Sequence, residues 1–218
     1  ASGRNLCNKL WNVSRYIQTI VDEEGDDGTE YTTENMGEDW ICRELNECRE
    51  QIEKIIAEYR FAEAVEMLYT TIWDKYADWF IESQKIYKNT NLLKTTLEAL
   101  LIALHPFAPF VTEAIWQNLS WTDSYIATEK WPTKLEFDPI SAEDFENIRT
   151  IVSEVRTTLQ ALPGTNNAKK YSLLYDNDNL IMDNQLLIKS LTKVPSINAL
   201  NGSPHGLRLA LANHELYL

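Results

Sequence analysis

The clearest pattern in the chain is a stripe of apolar side chains that recurs every three or four residues in residues 4–20. This spacing matches one face of an α-helix, which has about 3.6 residues per turn. The stripe consists of Leu6, Leu10, Val13, Ile17 and Ile20. At the same spacing, the opposite side carries Asn5, Asn8, Asn12, Arg15 and Thr19. Lys9 and Tyr16 border this polar side. We therefore predict an amphipathic first helix.

The same periodicity predicts five more helices, over residues 39–59, 61–87, 91–104, 110–119 and 141–160. Short connections between them favour an antiparallel bundle. Asp39 is the predicted N-cap of the second helix, and a capping box at Ser141 is predicted to open the sixth. His105 precedes Pro106, which ends the fourth helix. A single histidine at such a helix end is interpreted as a capping or packing residue. The predicted buried face of the third helix is Phe61, Val65, Leu68, Ile72, Tyr76, Trp79 and Phe80.

The pattern changes after residue 160 to short alternating segments separated by turn residues. These predict strands at residues 171–175, 196–200, 206–211 and 215–218, with a helix at 180–191. The predicted fold class is mainly α: a helical bundle over residues 1–160, followed by a small α/β appendage over 161–218. The chain ends on an apolar strand and begins with Ala1-Ser2-Gly3, so we expect a fragment with an artificial start.

Charge is distributed unevenly. The net charge of -13 opposes nucleic-acid binding, because affinity for phosphate normally comes from Lys and Arg. However, residues 21–39 contain nine acidic side chains and no basic one, and the predicted loop at 22–38 holds most of this acidity. A calcium loop is rejected because Asp27 occupies the position that requires glycine. The remainder of the chain is close to neutral, which leaves room for a locally basic surface.

No catalytic or metal site is predicted. The three cysteines, Cys7, Cys42 and Cys48, lack metal-ligand spacing, and their small odd number favours a reducing, cytoplasmic location. The chain contains no membrane-spanning segment, glycine-rich phosphate loop or nucleophile motif. A binding domain is the better interpretation.

The polar side of the first helix is the candidate binding surface. Asparagine disfavours helix relative to Glu and Lys, so three asparagines on one helix face are unusual. Amide groups, cations and an aromatic ring are the groups that contact single-stranded RNA bases. The candidate site residues are Asn5, Lys9, Asn12, Arg15 and Tyr16. The alternative is a core helix whose polar side has no function.

Four segments, in order and at suitable spacing, resemble the anticodon-binding region of class I aminoacyl-tRNA synthetases. They are residues 4–16 (RNLCNKLWNVSRY), 39–46 (DWICRELN), 59–80 (YRFAEAVEMLYTTIWDKYADWF) and 105–116 (HPFAPFVTEAIW). The resemblance is most specific to the valyl members, because the sequence Asp78-Trp79-Phe80 differs from the usual isoleucyl pattern.

The resemblance implies that Lys9, Arg15 and Tyr16 contact the anticodon loop of valine tRNA, with Tyr16 in place of the family's usual Phe. It further implies a monomer that works with the catalytic, editing and coiled-coil parts of a longer ligase. That ligase would use ATP and magnesium, and this region would need no cofactor. We assign packing roles to Trp11, Trp73, Trp79 and Trp116. The alternatives are an isoleucyl, leucyl or methionyl enzyme, or a helical protein-interaction scaffold without an RNA role.

Overall fold

Helices make up most of the structure, a computed structural model that describes residues 2–25, 29–164, 167–202, 206–209, 211 and 214–218. The chain forms two compact units, residues 1–142 and 143–218. The helices of the first unit are α1 Ser2–Glu24, α2 Met36–Ala57, α3 Phe61–Thr70, α4 Ile81–Tyr87, α5 Thr90–Leu104 and α6 Pro109–Trp116. Helix α7, Pro139–Ala161, contains the boundary between the units. The predicted fold class, a helical bundle with a small α/β appendage, is confirmed. The domain boundary expected near residue 160 stays a prediction.

Helix α1 packs against the first unit through its apolar stripe and exposes its polar side. All five residues of its apolar stripe are buried, as predicted. The helix packs against α5, α6 and the segment between α3 and α4. Burying a large aliphatic side chain contributes about 1.5–3 kcal/mol, so the stripe fixes the rotation of α1 about its axis. The polar side must then face outward.

The segment between α3 and α4, Thr71–Phe80, is a π-helix, and we call it the π segment. The Ile81 amide donates to the Tyr76 carbonyl, five residues back, as a π-helix requires. The predicted helix at 61–87 therefore exists, but its π-helical middle was not predicted. Phe61 and Val65 are 49% and 38% exposed, so their predicted burial is wrong. The buried face of α3 consists of Leu68, as predicted, together with Ala64.

Two predicted helix caps are also wrong. Asn35, not Asp39, caps α2: its side-chain oxygen accepts hydrogen bonds from the amides of Gly37 and Glu38. Asp138 caps α7, and its Oδ1 accepts from the Ile140 and Ser141 amides at 2.8 and 3.3 Å. In both cases an Asn or Asp with the same capping chemistry lies a few residues upstream of the predicted cap.

The acidic segment is shorter than predicted, because residues 22–24 belong to α1 and 36–38 to α2. Asp26 and Asp27 lie outside the described residues. The Glu38 carboxylate is fully buried and accepts hydrogen bonds from Gln84 Nε2 at 2.9 Å and Asn89 Nδ2 at 2.8 Å. Asn89 Nδ2 also donates to the Thr32 carbonyl at 2.8 Å. These contacts hold the end of the acidic segment on the junction between α4 and α5.

His105 has the packing role that the sequence predicts. It follows the last residue of α5, and its Nδ1 lies 2.8 Å from Thr112 Oγ1 in α6. The Thr112 hydroxyl also lies within hydrogen-bonding distance of the Ala108 carbonyl. The pair therefore fixes the proline-containing turn that joins α5 to α6.

The second unit contains a three-stranded sheet among the described residues. Strands β1 Leu173–Tyr175, β2 Ile197–Ala199 and β3 Leu216–Tyr217 lie in the order β2-β1-β3, with β1 parallel to β2 and antiparallel to β3. The predicted strand at 206–211 is reduced to one bridge, Arg208 to Tyr217, and residue 210 lies outside the described part. The predicted helix at 180–191 is split into α8 Asn179–Asp183 and α9 Gln185–Thr192. Arg156 of α7 donates two hydrogen bonds to the Leu191 carbonyl, at 3.1 and 2.7 Å.

Candidate nucleic-acid interface

The polar side of α1 is a solvent-exposed strip. Its exposed residues are Asn5, Asn8, Asn12, Arg15 and Thr19, and we call this set the polar strip. The asparagine side chains offer both amide donors and carbonyl acceptors. The strip therefore presents hydrogen-bonding groups on a rigid helix whose orientation the buried stripe determines.

Lys9 lies at one edge of the polar strip and already has partners in the protein. Its Nζ lies 2.6 Å from Asp78 Oδ1 and 4.6 Å from the centre of the Trp73 ring. The Trp73 ring in turn stacks on Tyr69, with ring centres 5.7 Å apart and planes 4° from parallel. The Lys9 side chain remains 27% exposed, so its ammonium group is held in place without being fully covered.

Tyr16 lies at the same edge, close to charged residues of α4. Partial burial raises the pKa of the Tyr16 phenol above its ordinary value, while the positive charge of Lys85 opposes this shift. The hydroxyl group is therefore protonated at neutral pH and can donate a hydrogen bond. The ring is only partly buried, which leaves some of its surface accessible.

Arg15 lies at the opposite edge, beside α6. Together with Trp11 and Gln18 it lines a groove whose other wall includes Ile115 and Asn118. Within the part of the chain that the structure describes, the Arg15 guanidinium forms no hydrogen bond or ion pair. The predicted contacts thus lie along both edges of the polar strip: Lys9 and Tyr16 border one edge, and Arg15, a member of the strip, forms the other.

The cations along the Lys9 edge are matched by carboxylates. In addition to Lys9 with Asp78, Lys85 Nζ lies 2.5 Å from Glu82, and Lys88 Nζ lies 2.9 Å from Glu24. This edge is therefore not a basic patch of the kind that binds phosphates non-specifically. The surface favours hydrogen bonding and stacking over charge attraction.

The structure adds three residues that the sequence did not assign to the site: Tyr69, Trp73 and Asp78. Trp73, to which we assigned a packing role, stacks on Tyr69 but is only half-buried and also contacts Lys9. Trp11 is 37% exposed, which contradicts its packing assignment, whereas Trp79 and Trp116 are buried as predicted. The motif at 59–80 includes Trp73 and Asp78, but no local spacing signals a partner 69 residues away.

The described part of the structure shows neither a metal site nor a membrane-spanning helix. Among the described residues, no group of three or more His, Cys, Asp or Glu side chains is arranged to hold a metal ion. No described helix is long and apolar enough to cross a membrane. All three cysteines are free, and Cys42 and Cys48 are buried. Burial raises the pKa of the Cys42 thiol to about 12, so this thiol is not ionised at neutral pH.

Comparison with known proteins identifies relatives for most of the chain. Residues 38–172 match the family described as the anticodon-binding domain of tRNA ligase. The valine–tRNA ligase of Oceanobacillus iheyensis is 35% identical over 80% of this chain and 21% of its own length. The valine–tRNA ligase of Thermotoga maritima is 29% identical over 98% of this chain and 25% of its own length. The chain thus spans about a fifth to a quarter of the length of these curated relatives.

Proposed function

The chain belongs to the family of anticodon-binding domains of tRNA ligases, and we propose that it binds the anticodon loop of valine tRNA through the polar strip of α1. The observation that carries this proposal is the exposed strip itself, with Arg15 along one edge and Lys9 and Tyr16 bordering the other. The valine–tRNA ligases among its relatives support valine over isoleucine, leucine or methionine as the cognate amino acid.

Each residue has a distinct role in the proposed complex. Tyr16 stacks on an unstacked anticodon base, a contact worth about 1–3 kcal/mol per base. Asn5 and Asn12 pair with base edges through their amides. Lys9 and Arg15 bind base edges or phosphates from the two sides of the strip. The protonated Tyr16 hydroxyl adds a donor that phenylalanine would lack.

We further propose that this region acts within a longer, monomeric valine–tRNA ligase in the cytoplasm. Catalysis, editing and any coiled-coil contact would then belong to other parts of that chain, together with the use of ATP and magnesium. By holding the anticodon, the domain ensures that the catalytic part charges the correct tRNA.

The test is fluorescence anisotropy with a labelled valine-tRNA anticodon stem-loop and an isoleucine stem-loop, titrated at several salt concentrations. We expect tighter binding of the valine loop. We also expect a shallow salt dependence, because two phosphate contacts to single-stranded RNA give a log–log slope of only about -1.4. The Lys9→Ala/Arg15→Ala variant should lose both the preference for the valine stem-loop and the salt dependence of binding.

A Lys130→Ala/Lys134→Ala variant is the matched control, because it removes two exposed cations from a segment whose Trp131 and Leu135 contact α2. It should bind both stem-loops like the unmodified protein. If the unmodified protein, the α1 variant and this control bind both loops equally, the polar strip is not the anticodon site. Absence of binding to either stem-loop by the unmodified protein would instead favour the helical protein-interaction scaffold.

A further inference from the structure

Four side chains beside the polar strip form a continuous column. The column runs from the Tyr69 ring to the Trp73 ring, then to the Lys9 ammonium and finally to the Asp78 carboxylate. Tyr69 lies in the last turn of α3, two residues before the π segment begins, and the π segment supplies both Trp73 and Asp78. Lys9 is the member contributed by α1, so the column joins the candidate RNA-binding helix to the π segment.

The π-helical geometry explains why Trp73 and Asp78 meet at the same ammonium group. In an α-helix, residues five apart differ in direction by about 140° around the axis. In a π-helix, the wider turn closed by the hydrogen bond between residues i and i+5 brings such residues closer to the same side of the axis. Trp73 and Asp78 are five residues apart and both contact Lys9. Segments of π-helix occur frequently at functional sites.

We propose that Asp78 is a positioning residue that holds the Lys9 ammonium over the Trp73 ring, oriented for contact with RNA. This inference rests on the proposed anticodon-binding function. Lysine has a flexible four-carbon side chain that loses rotational freedom when it binds a ligand. Asp78 occupies one of its three N–H donors, while Trp73 limits the positions that the ammonium group can take. The remaining N–H donors of Lys9 are available to an RNA acceptor. The Lys9 side chain is already ordered in the free protein, so binding RNA costs it little further rotational freedom.

The opposite view is that Asp78 simply repels RNA, as any surface carboxylate would. The chain contains a matched control for this effect. Asp74 lies in the same π segment and is exposed. Asp74→Asn and Asp78→Asn remove the same charge from the same segment and preserve side-chain shape. General repulsion predicts equal, slightly tighter RNA binding for both variants, whereas positioning predicts that only Asp78→Asn loses affinity.

The first measurement is independent of RNA. Lys9 lies over the Trp73 face, so the NMR signals of its ε-methylene protons should show an upfield ring-current shift, identified by their loss in Lys9→Arg. We expect this shift to collapse in Asp78→Asn and to persist in Asp74→Asn. A shift that persists unchanged in Asp78→Asn overturns the proposal, whether or not the protein binds the valine stem-loop.

The second measurement is binding of the valine stem-loop. We expect Asp78→Asn to bind about 2- to 12-fold more weakly than Asp74→Asn, the fold-change that corresponds to ordering one long side chain. This difference should vanish when both substitutions are made in a Lys9→Ala background, because Asp78 acts through Lys9. A difference that survives without Lys9, or equal binding by both variants, refutes the positioning role. Absence of binding by the unmodified protein would instead count against the proposed function and leave the NMR result to decide how Lys9 is held.

Discussion

Asn46 should be one of the polar residues that contribute most to stability, because it forms buried hydrogen bonds with a distant part of the chain. It is 5% exposed, and its Nδ2 donates to the Leu135 carbonyl at 2.8 Å. Its Oδ1 accepts from the Leu135 amide, also at 2.8 Å. Asp39, seven residues earlier on the same face of α2, accepts from the Asp138 amide at 2.9 Å. Together they attach the segment before α7 to α2, which gives a structural reason for both ends of the motif at 39–46.

Replacing Asn46 with alanine leaves the Leu135 amide and carbonyl groups without partners in a buried environment. Each unsatisfied group costs about 1–3 kcal/mol, so Asn46→Ala should lower the free energy of unfolding by about 2–6 kcal/mol. With a urea m-value of about 2 kcal/mol/M, the unfolding midpoint should fall by about 1–3 M. Asn46→Asp preserves the acceptor but replaces the donor with a carboxylate, so it should also destabilise the protein.

The assay is urea unfolding followed in parallel by tryptophan fluorescence and circular dichroism. Asn8→Ala is the control, because Asn8 is exposed on α1 and alanine favours helix there. It should leave the midpoint unchanged or raise it slightly. Ordinary surface substitutions change the free energy of unfolding by less than about 0.5 kcal/mol. If the free energy of unfolding of Asn46→Ala differs from that of the unmodified protein by no more than this, water must reach the Leu135 backbone. The buried contact would then not be what holds this segment.

The remaining predictions concern the cysteines and the second unit. At pH 8, iodoacetamide should modify the partly exposed Cys7 but not the buried Cys42 and Cys48 until the protein is unfolded. Peptide mass spectrometry identifies the modified cysteines. Rapid labelling of Cys42 in the folded protein would contradict its burial. The Cys42 thiol has an ordinary pKa of 9.0, and burial in the folded protein raises this pKa to about 12. The unfolded chain therefore loses the thiol proton at a lower pH than the folded protein does. Between pH 9 and pH 12 the free energy of unfolding should fall as the pH rises, by up to about 1.4 kcal/mol per pH unit. Urea unfolding at pH 9 and 11 should show a smaller decline for Cys42→Ala, and an identical decline would exclude this thiol as a cause. Gly206→Ala should destabilise the sheet, because the φ angle of Gly206 is +122° and an added Cβ would lie 2.4 Å from the Leu218 carbonyl oxygen. A protease should cut the second unit of this variant faster than that of the unmodified protein. Equal rates of cleavage would refute the close approach of Gly206 to Leu218.

The sequence by itself determined the position of most helices in the first unit and the outward face of α1. Apolar residues at helical spacing must be buried together, and this requirement alone predicts that Leu10 and Ile17 lie inside and Asn12 and Arg15 outside, as observed. The ordered motifs identified the family, which the match at residues 38–172 confirms. Such properties depend on neighbours three or four positions away, so they can be recognised in a linear chain.

Tertiary structure decided which side chains meet. Lys9 pairs with a residue 69 positions away, and Asn46 with one 89 positions away. Helix caps were misassigned because several nearby Asn and Asp residues have equivalent capping chemistry, and only the position of the folded backbone selects among them. The π segment was missed for a related reason: its apolar residues also fit an α-helical stripe. Hydrogen bonds and ion pairs require atoms within about 3 Å of each other, and such proximity between distant segments is a product of the whole fold.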